Sequence, residues 1–274
     1  LKESDPNLSI SLATVFGLVF SFGVFVFSIG MSTQNPMIFI HLDGFLMVIG
    51  GTMGAAFIAY EPRYVILSLK LTRTVLFAPK IGRNALTNEI GRMIRWGYMV
   101  QKTGMPALEA DAAKIRGQDK FLSFGIDLVI SGYTGQEVRE TLTNTIETTY
   151  QRGTVPANIL KAMGGNAPAF GLIAAIIGLI IMFDKMAADP GGVGPGLSVA
   201  LTGTLYGVMG ARLFFLPIAS KIQQREEIIR FRNYLVAEGL ALLAERKSPR
   251  YLQDRMNSFL DPSIHFSIDK MLKK

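Results

Sequence analysis

Four near-continuous apolar runs decide what this chain can become. They cover Ile10 to Gly30, Leu42 to Tyr60, Ala167 to Phe183 with its flanks, and Gly196 to Ala219. A helix of about 20 apolar residues crosses the roughly 30 Å of hydrocarbon in a bilayer. A buried soluble helix rarely runs so far without a charge, so the 49% of hydrophobic residues among 274 is spent on spans rather than on one large soluble core. Inside lipid every backbone polar group must be paired within its own segment, which leaves helix as the form open to such runs. The expectation is an all-α polytopic membrane protein with four transmembrane helices, a helical cytoplasmic domain between the second and third, and a cytoplasmic C-terminal helical tail.

The net charge of +7 supports this through its distribution. Lys and Arg pile up from Arg63 to Lys161 and from Arg212 to Lys274, whereas Met31 to His41 has none and the turn after Phe183 has only Lys185, set against Asp184 and Asp189. Basic segments flanking spans stay on the cytoplasmic side. Both termini are therefore expected in the cytoplasm, with the two short connectors outside. No zinc-ligand cluster or RNA-binding aromatic signature accompanies the charge, which argues against nucleic acid as a partner. The first run is too long for the apolar core of a secretory leader and lacks a small-residue cleavage site, so it reads as a retained span. The leucine at position 1 suggests that an initiator or a tag lies outside the numbering.

The chain divides into residues 1–60 (N-terminal segment and first two spans), 61–164 (cytoplasmic helical domain), 165–219 (third and fourth spans) and 220–274 (cytoplasmic tail). In the second part Leu86, Ile90, Met93, Ile94, Gly97 and Gln101 fall near helical spacing. Pro106 is placed to start a helix through Leu108 and Ile115, and further helices are expected over Phe121 to Ile130 and Gln136 to Thr149. The tail sets Ile222, Ile228, Ile229, Leu235, Val236, Leu240 and Leu243 among Arg225, Arg230, Arg232 and Glu238, an amphipathic helix continuing the fourth span. It packs on the cytoplasmic lobe or lies on the membrane surface.

Signs of enzyme chemistry are nearly absent. With no cysteine there is neither a disulfide framework nor thiol catalysis. His41 and His265 stand outside any metal-ligand spacing and read as surface or interface residues. Gly191-Gly192-Val193-Gly194 has no strand before it and no Gly-Lys-Ser/Thr after it, so it reads as an outer turn, part of Asp189 to Pro195, rather than a phosphate loop. The chain is expected to be no enzyme and to hold no cofactor.

Small and polar residues within the spans tell more. Gly50 and Gly54, Gly203 and Gly207, and Gly171 with Gly178 form faces on which helix backbones can approach closely in lipid, either within the chain or between copies. Pro168 and Pro217 each remove a backbone hydrogen bond at the same cytoplasmic depth, as a cap, a kink or a hinge. Thr202, Thr204 and Tyr206 are the main polar groups of the fourth span; a threonine there bonds its own preceding turn or faces a hydrated path. Moving an ion needs a titrating group at depth. Asp43, Glu61, Asp184 and Asp189 all sit at span ends, so the carboxylate must come from a partner.

At these residues the sequence resembles the MotA branch of the MotA/TolQ/ExbB family. The resemblance is carried by Ala167-Pro168-Ala169-Phe170-Gly171-Leu172-Ile173, Gly178-Leu179-Ile180, Gly194 to Leu201, Thr204-Leu205-Tyr206-Gly207 and Phe215-Leu216-Pro217-Ile218-Ala219. Gly50-Gly51-Thr52, Gly104 to Glu109, Glu238-Gly239-Leu240 and Ser248-Pro249-Arg250 extend it over nearly the whole chain.

The resemblance implies a flagellar stator subunit of the bacterial inner membrane. Five copies would ring two copies of a single-span MotB-like subunit that carries the ion-binding aspartate and a peptidoglycan-binding domain, and ion flow would turn the ring against the rotor switch protein. Pro168 and Pro217 would be coupling prolines, with Thr204, Ala175 and Tyr206 along the ion path. Lys102 and Glu109 match charged positions that meet the rotor. Relatives often place arginine where this chain has Gln101, which shifts weight to Lys102, Arg95 and Arg92. Sodium-driven members have Gly-Thr where Ala174-Ala175 stand here. A hard cation wants oxygen ligands, so the missing hydroxyl favours protons. The competing readings are a sodium-driven (PomA-like) stator, a TolQ/ExbB-like energiser, which normally has three spans, and a non-conducting membrane scaffold.

Overall fold

A computed structural model describes residues 11–77, 83–115, 117–186 and 193–269. Among these residues the chain is almost wholly helical and contains no β-strand. The first span is α1 (Leu12–Ser32), followed by a short 3-10 turn at Pro36–Phe39 and by α2 (Leu42–Ala59). Then come α3 (Pro62–Thr74), α4 (Arg83–Thr103), α5 (Met105–Ala112) and α6 (Lys120–Ile130). The long α7 (Gly135–Met186) and α8 (Val193–Met209) follow. A π-helical segment, Gly210–Phe215, joins α8 to α9 (Leu216–Ala244), and α10 (Pro249–Asn257) is followed by a last 3-10 turn at Pro262–Ile264. Four of these stretches, Leu12–Ser32, Pro36–Ala59, Gly135–Asp184 and Gly196–Ala244, are long and apolar enough to cross a membrane.

Several helices differ from their sequence-based bounds. The helix begun near Pro106 does not run through Ile115: α5 ends at Ala112 and tightens to a 3-10 turn over Ala113–Ile115. The helix expected over Gln136 to Thr149 is only the start of α7, which continues without a break to Met186. Helical spacing shows where a helix lies, but polar Thr and Gln between its amphipathic and apolar halves hid their continuity. Pro168, and Pro156 before it, therefore lie inside one helix, which rules out a capping role for Pro168. Val193 to Pro195, read as part of a turn, already belong to α8; the rest of the glycine-rich connector, residues 187–192, lies outside the described residues.

The chain divides into two compact units, one formed by the described parts of residues 1–78 and 154–224, the other by those of 79–153 and 225–274. The second unit has a closely packed core in which Trp96, Ile90, Met93 and Ile94 of α4 meet Leu122 and Ile126 of α6, Leu142 and Ile146 of α7, and Leu235 and Leu240 of α9. Asp119 caps α6 by accepting from the Leu122 amide at 3.0 Å, one of the helix-end donors that would otherwise be unpaired. The buried Arg232 is balanced by two carboxylates, Glu89 and Asp119, each at 2.5 Å, as a charge withdrawn from water requires. The tail helix thus buries its apolar stripe in this lobe, through Leu235, Val236, Leu240 and Leu243.

In the first unit α1 buries none of its residues. Phe16, Phe20, Val26 and Phe27 stand exposed along it. By contrast α2 buries Gly44, Val48, Thr52 and Ala56, one residue per turn on a single face.

Candidate functional site

The third and fourth apolar runs pack through glycine. A β-carbon on Gly171 would fall 2.9 Å from the Gly203 carbonyl oxygen and 3.2 Å from the Gly207 Cα, and one on Gly207 would fall 2.6 Å from the Ala167 carbonyl oxygen. Gly178 faces Ala200 in the same way, at 3.2 Å to its Cα. Larger residues would push α7 and α8 apart where van der Waals packing is the main force available. The Gly203/Gly207 pair is therefore used within the chain, whereas Gly50 and Gly54 of α2 have open space beside them.

This packing sorts the polar groups of α8. Ser198, Thr202 and Tyr206, spaced by four, form one stripe along the helix. Ser198 Oγ donates to the Ile38 carbonyl at 3.2 Å. Thr202 Oγ1 donates to its own preceding turn, 3.0 Å from the carbonyls of Ser198 and Val199, and lies 3.2 Å from His41 Nδ1. The Tyr206 hydroxyl accepts from the His41 amide at 2.9 Å and donates to the Phe39 carbonyl. The stripe supplies partners to the connector between α1 and α2, whose short 3-10 turn leaves the Ile38 and Phe39 carbonyls and the His41 amide for side chains to satisfy. Tyr206 is thus committed to a clasp, and His41 belongs to the same clasp. The sequence signal was the i, i+4, i+8 spacing.

Thr204 stands off that stripe. It is half-buried, its Cα lies 3.2 Å from where a Gly171 β-carbon would be, and its hydroxyl has no hydrogen-bond partner among the described residues. Ala174 is buried, with its Cβ 2.9 Å from where a Gly203 β-carbon would lie. Ala175, one turn beyond Gly171, is half-buried and level with this part of α8.

The two prolines differ in their surroundings. Pro168 is held within α7, with its Cα 3.1 Å from where a Gly207 β-carbon would be. Pro217 follows the π segment, in which the Leu216 amide bonds the Ala211 carbonyl, five residues back. Proline has no N–H to offer the carbonyls preceding it. A π turn is one way a helix reroutes those bonds, and such turns bend more readily than α-helix.

The charged candidates lie in the second unit. Arg95, Gln101 and Lys102 are exposed on α4, and Glu109 is exposed on α5. Arg92 is already paired, 3.1 Å from Glu89. Between the two helices Gly104 has φ 83° and ψ −176°, a region essentially confined to glycine. Trp96 Nε1 donates to Asp111 Oδ2 at 2.8 Å and fastens α5 to α4. That hydrogen bond, with those from Lys114 and the charge of Arg95, holds the Asp111 carboxyl below its ordinary range. Among the described residues, no group of three or more His, Cys, Asp or Glu could hold a metal.

Residues 113–232 match the MotA/TolQ/ExbB proton channel family. That segment is similar to the family's domain. The family's members are channel subunits, not enzymes. The chain is 28% identical over 260 residues to chemotaxis protein PomA of Vibrio alginolyticus, covering 92% of this chain and 96% of that one. It is 26% identical over 253 residues to motility protein A of Helicobacter pylori, again with 92% and 96% covered. Its fold follows a chain of the C. jejuni MotAB structure with a TM-score of 0.83, at 24% identity, over 92% of this chain and 97% of the other. The family domain spans the α7/α8 pair, the π segment and the first half of α9, where the glycine packing, Thr204 and both prolines lie. Four of its helices are long and apolar enough to cross a bilayer, and its fold is the one seen in chains of MotAB stator structures.

Proposed function

We propose that this chain is the MotA-like subunit of a proton-driven flagellar stator in the bacterial inner membrane. Five copies surround a single-span, MotB-like partner that carries the ion-binding aspartate and grips peptidoglycan. The observation that carries this reading is the contrast between Thr202 and Thr204: one hydroxyl is committed to its own helix, while the other is unpaired beside a glycine-packed helix pair that has no carboxylate at depth. A hydroxyl can relay or strip an ion but cannot titrate near neutral pH. The acid must come from the partner. The cargo is the proton, because Ala175 offers no oxygen opposite that hydroxyl; no resident cofactor is needed.

Ion passage alters the helix pair at Pro168 and the π segment before Pro217. The change reaches the rotor switch protein through the exposed Lys102, Glu109, Arg95 and Gln101, which lie in the cytoplasm with both termini. The test is proton flux into vesicles holding this chain with and without the single-span partner. Flux requires the partner, and Thr204→Val lowers it without loss of assembly. Conduction by this chain alone sinks the reading. Swimming that persists when sodium is removed at fixed pH supports protons, and arrest overturns them.

A further inference from the structure

A groove of about 240 Å³ opens between the first turns of α1 and the junction of the π segment with α9. Its body is apolar, walled by Leu18, Leu213 and Ile218, with Pro217 also facing it. Its polar liners are Thr14 and Lys221. Thr14 shares a hydrogen bond with Ser11 at 2.7 Å. Lys221 is half-buried and, among the described residues, has neither a hydrogen bond nor an ion pair. Such a lysine covers apolar surface with its stem and leaves its ammonium free to meet an anion.

The surroundings say which anion. The groove lies where two spans leave the apolar region, since α1 begins at Leu12 and the fourth apolar run ends at Ala219. The segments that border it, residues 62–77 and 211–224, carry Arg63, Lys70, Arg73, Arg212 and Lys221 and no aspartate or glutamate. No residue of α1 is fully buried, and Phe16, Val19 and Phe20 stand exposed, so its outer face is open to lipid. An apolar slot with a lysine in its lining and basic flanking sequence, at the depth of the headgroups, fits one kind of molecule, an anionic phospholipid, whose acyl chain takes the slot and whose phosphate meets the ammonium.

We propose that the groove binds the acyl chain of an anionic phospholipid, with its phosphate held at Lys221, directly against the hinge at Pro217. The proposal rests on the membrane reading above. It makes the anionic lipid of the cytoplasmic leaflet a bound component of this subunit and a brake or support for movement at the π segment.

The test uses the chain together with its single-span partner, reconstituted in phosphatidylcholine vesicles doped with phosphatidylglycerol or phosphatidylcholine bearing a photoreactive acyl chain. Labelled peptides are then mapped by mass spectrometry. The phosphatidylglycerol probe marks the peptides of Leu213 and Ile218 in excess over the phosphatidylcholine probe, and Lys221→Gln cuts that excess about fivefold. Leu18→Trp, which fills the slot and leaves the charge, abolishes labelling there. Equal labelling by both probes, or labelling indifferent to Lys221→Gln, overturns the proposal. So does a crosslink from a cysteine at Leu213 to a neighbouring copy of the chain in place of lipid. Failure of either probe to label the exposed face at Phe16 and Phe20 would strike the membrane reading itself, which separates the two.

Discussion

The Tyr206 hydroxyl accepts the amide hydrogen of His41 at 2.9 Å, so a side chain in the middle of the fourth apolar run fixes the start of the second. It donates to the Phe39 carbonyl as well, and its ring packs edge-on to Phe45 with centroids 6.1 Å apart. Tyr206→Phe keeps the ring contact and leaves two backbone groups unpaired. The expected loss is about 1–3 kcal/mol of stability. Thermal melting of the purified protein in detergent reads it, and unchanged melting would count against the clasp.

The elbow between α4 and α5 holds Lys102 and Glu109 in a set relation. Gly104 makes this possible with a backbone conformation open to glycine, and its amide still bonds the Val100 carbonyl at 3.1 Å. Gly104→Ala costs about 1–3 kcal/mol in strain. The variant should melt lower and, under the proposed rotor role of Lys102 and Glu109, bind the switch protein more weakly, while its membrane insertion is unaltered. Normal rotor binding alongside lowered melting would detach the elbow from the rotor contact.

Much of this was legible in the sequence because apolar length and basic flanks act locally. The four spans needed nothing beyond composition, and the Gly203/Gly207 pair was visible as a close-packing face. What could not be read was choice among partners. Thr202 and Thr204 look alike in sequence, and only the turn of α8 relative to α2 gives one a histidine neighbour and leaves the other unpaired. The π segment was equally hidden, since Pro217 announces a lost hydrogen bond without saying how the helix absorbs it. The pairing of Arg92 with Glu89, one turn back, was likewise not marked in the sequence.

Glu238 joins three helices. Its carboxylate accepts from Arg139 of α7 and from Arg255 of α10, each at 2.9 Å, and Glu245 stands 3.8 Å from the same Arg139. Burial alone would raise its pKa, but the two guanidinium hydrogen bonds prevail and lower it. A carboxyl depressed in the folded state contributes stability that is full above its ordinary range and is lost as pH falls through the folded value. Melting temperature should therefore drop as the purified protein is acidified from neutrality. Glu238→Gln should start lower and fall less steeply. Parallel curves would refute the linkage.

Glu226 works in the opposite sense. Its carboxylate is packed so closely over Gly153 that a β-carbon there would collide with it, and burial raises its pKa. The folded state then holds the proton more tightly than the unfolded one, and stability declines as pH rises through the raised value. Glu226→Gln should raise the melting temperature at neutral pH, with the advantage fading in acid. An advantage that persists unchanged in acid would point to some cause other than titration.

Thr52 presents an unpaired hydroxyl at the centre of the first unit. The residue is fully buried, and its Oγ1 finds no hydrogen-bond partner among the described residues. Its level follows from its neighbours on α2: Gly44 faces Gly203, whose Cα would lie 3.4 Å from a β-carbon on Gly44, while Ala56 shares a cluster with Ala211 and Phe215. The two helices therefore run in the same direction, and Thr52 comes level with the stretch where α8 gives way to the π segment. A buried hydroxyl left unpaired costs about 1–3 kcal/mol, whereas valine fills the same space without that penalty. Thr52→Val should raise the melting temperature. If the π segment rearranges during ion passage, the hydroxyl is the nearest polar group on α2 able to receive a backbone bond released there, so the same variant should slow ion-driven rotation while assembly stays intact. Melting and rotation moving in opposite directions would identify a group kept for movement at the expense of rest. A rise in melting with unaltered rotation would leave Thr52 outside the coupling step, and a fall in melting would show that the hydroxyl has a partner after all.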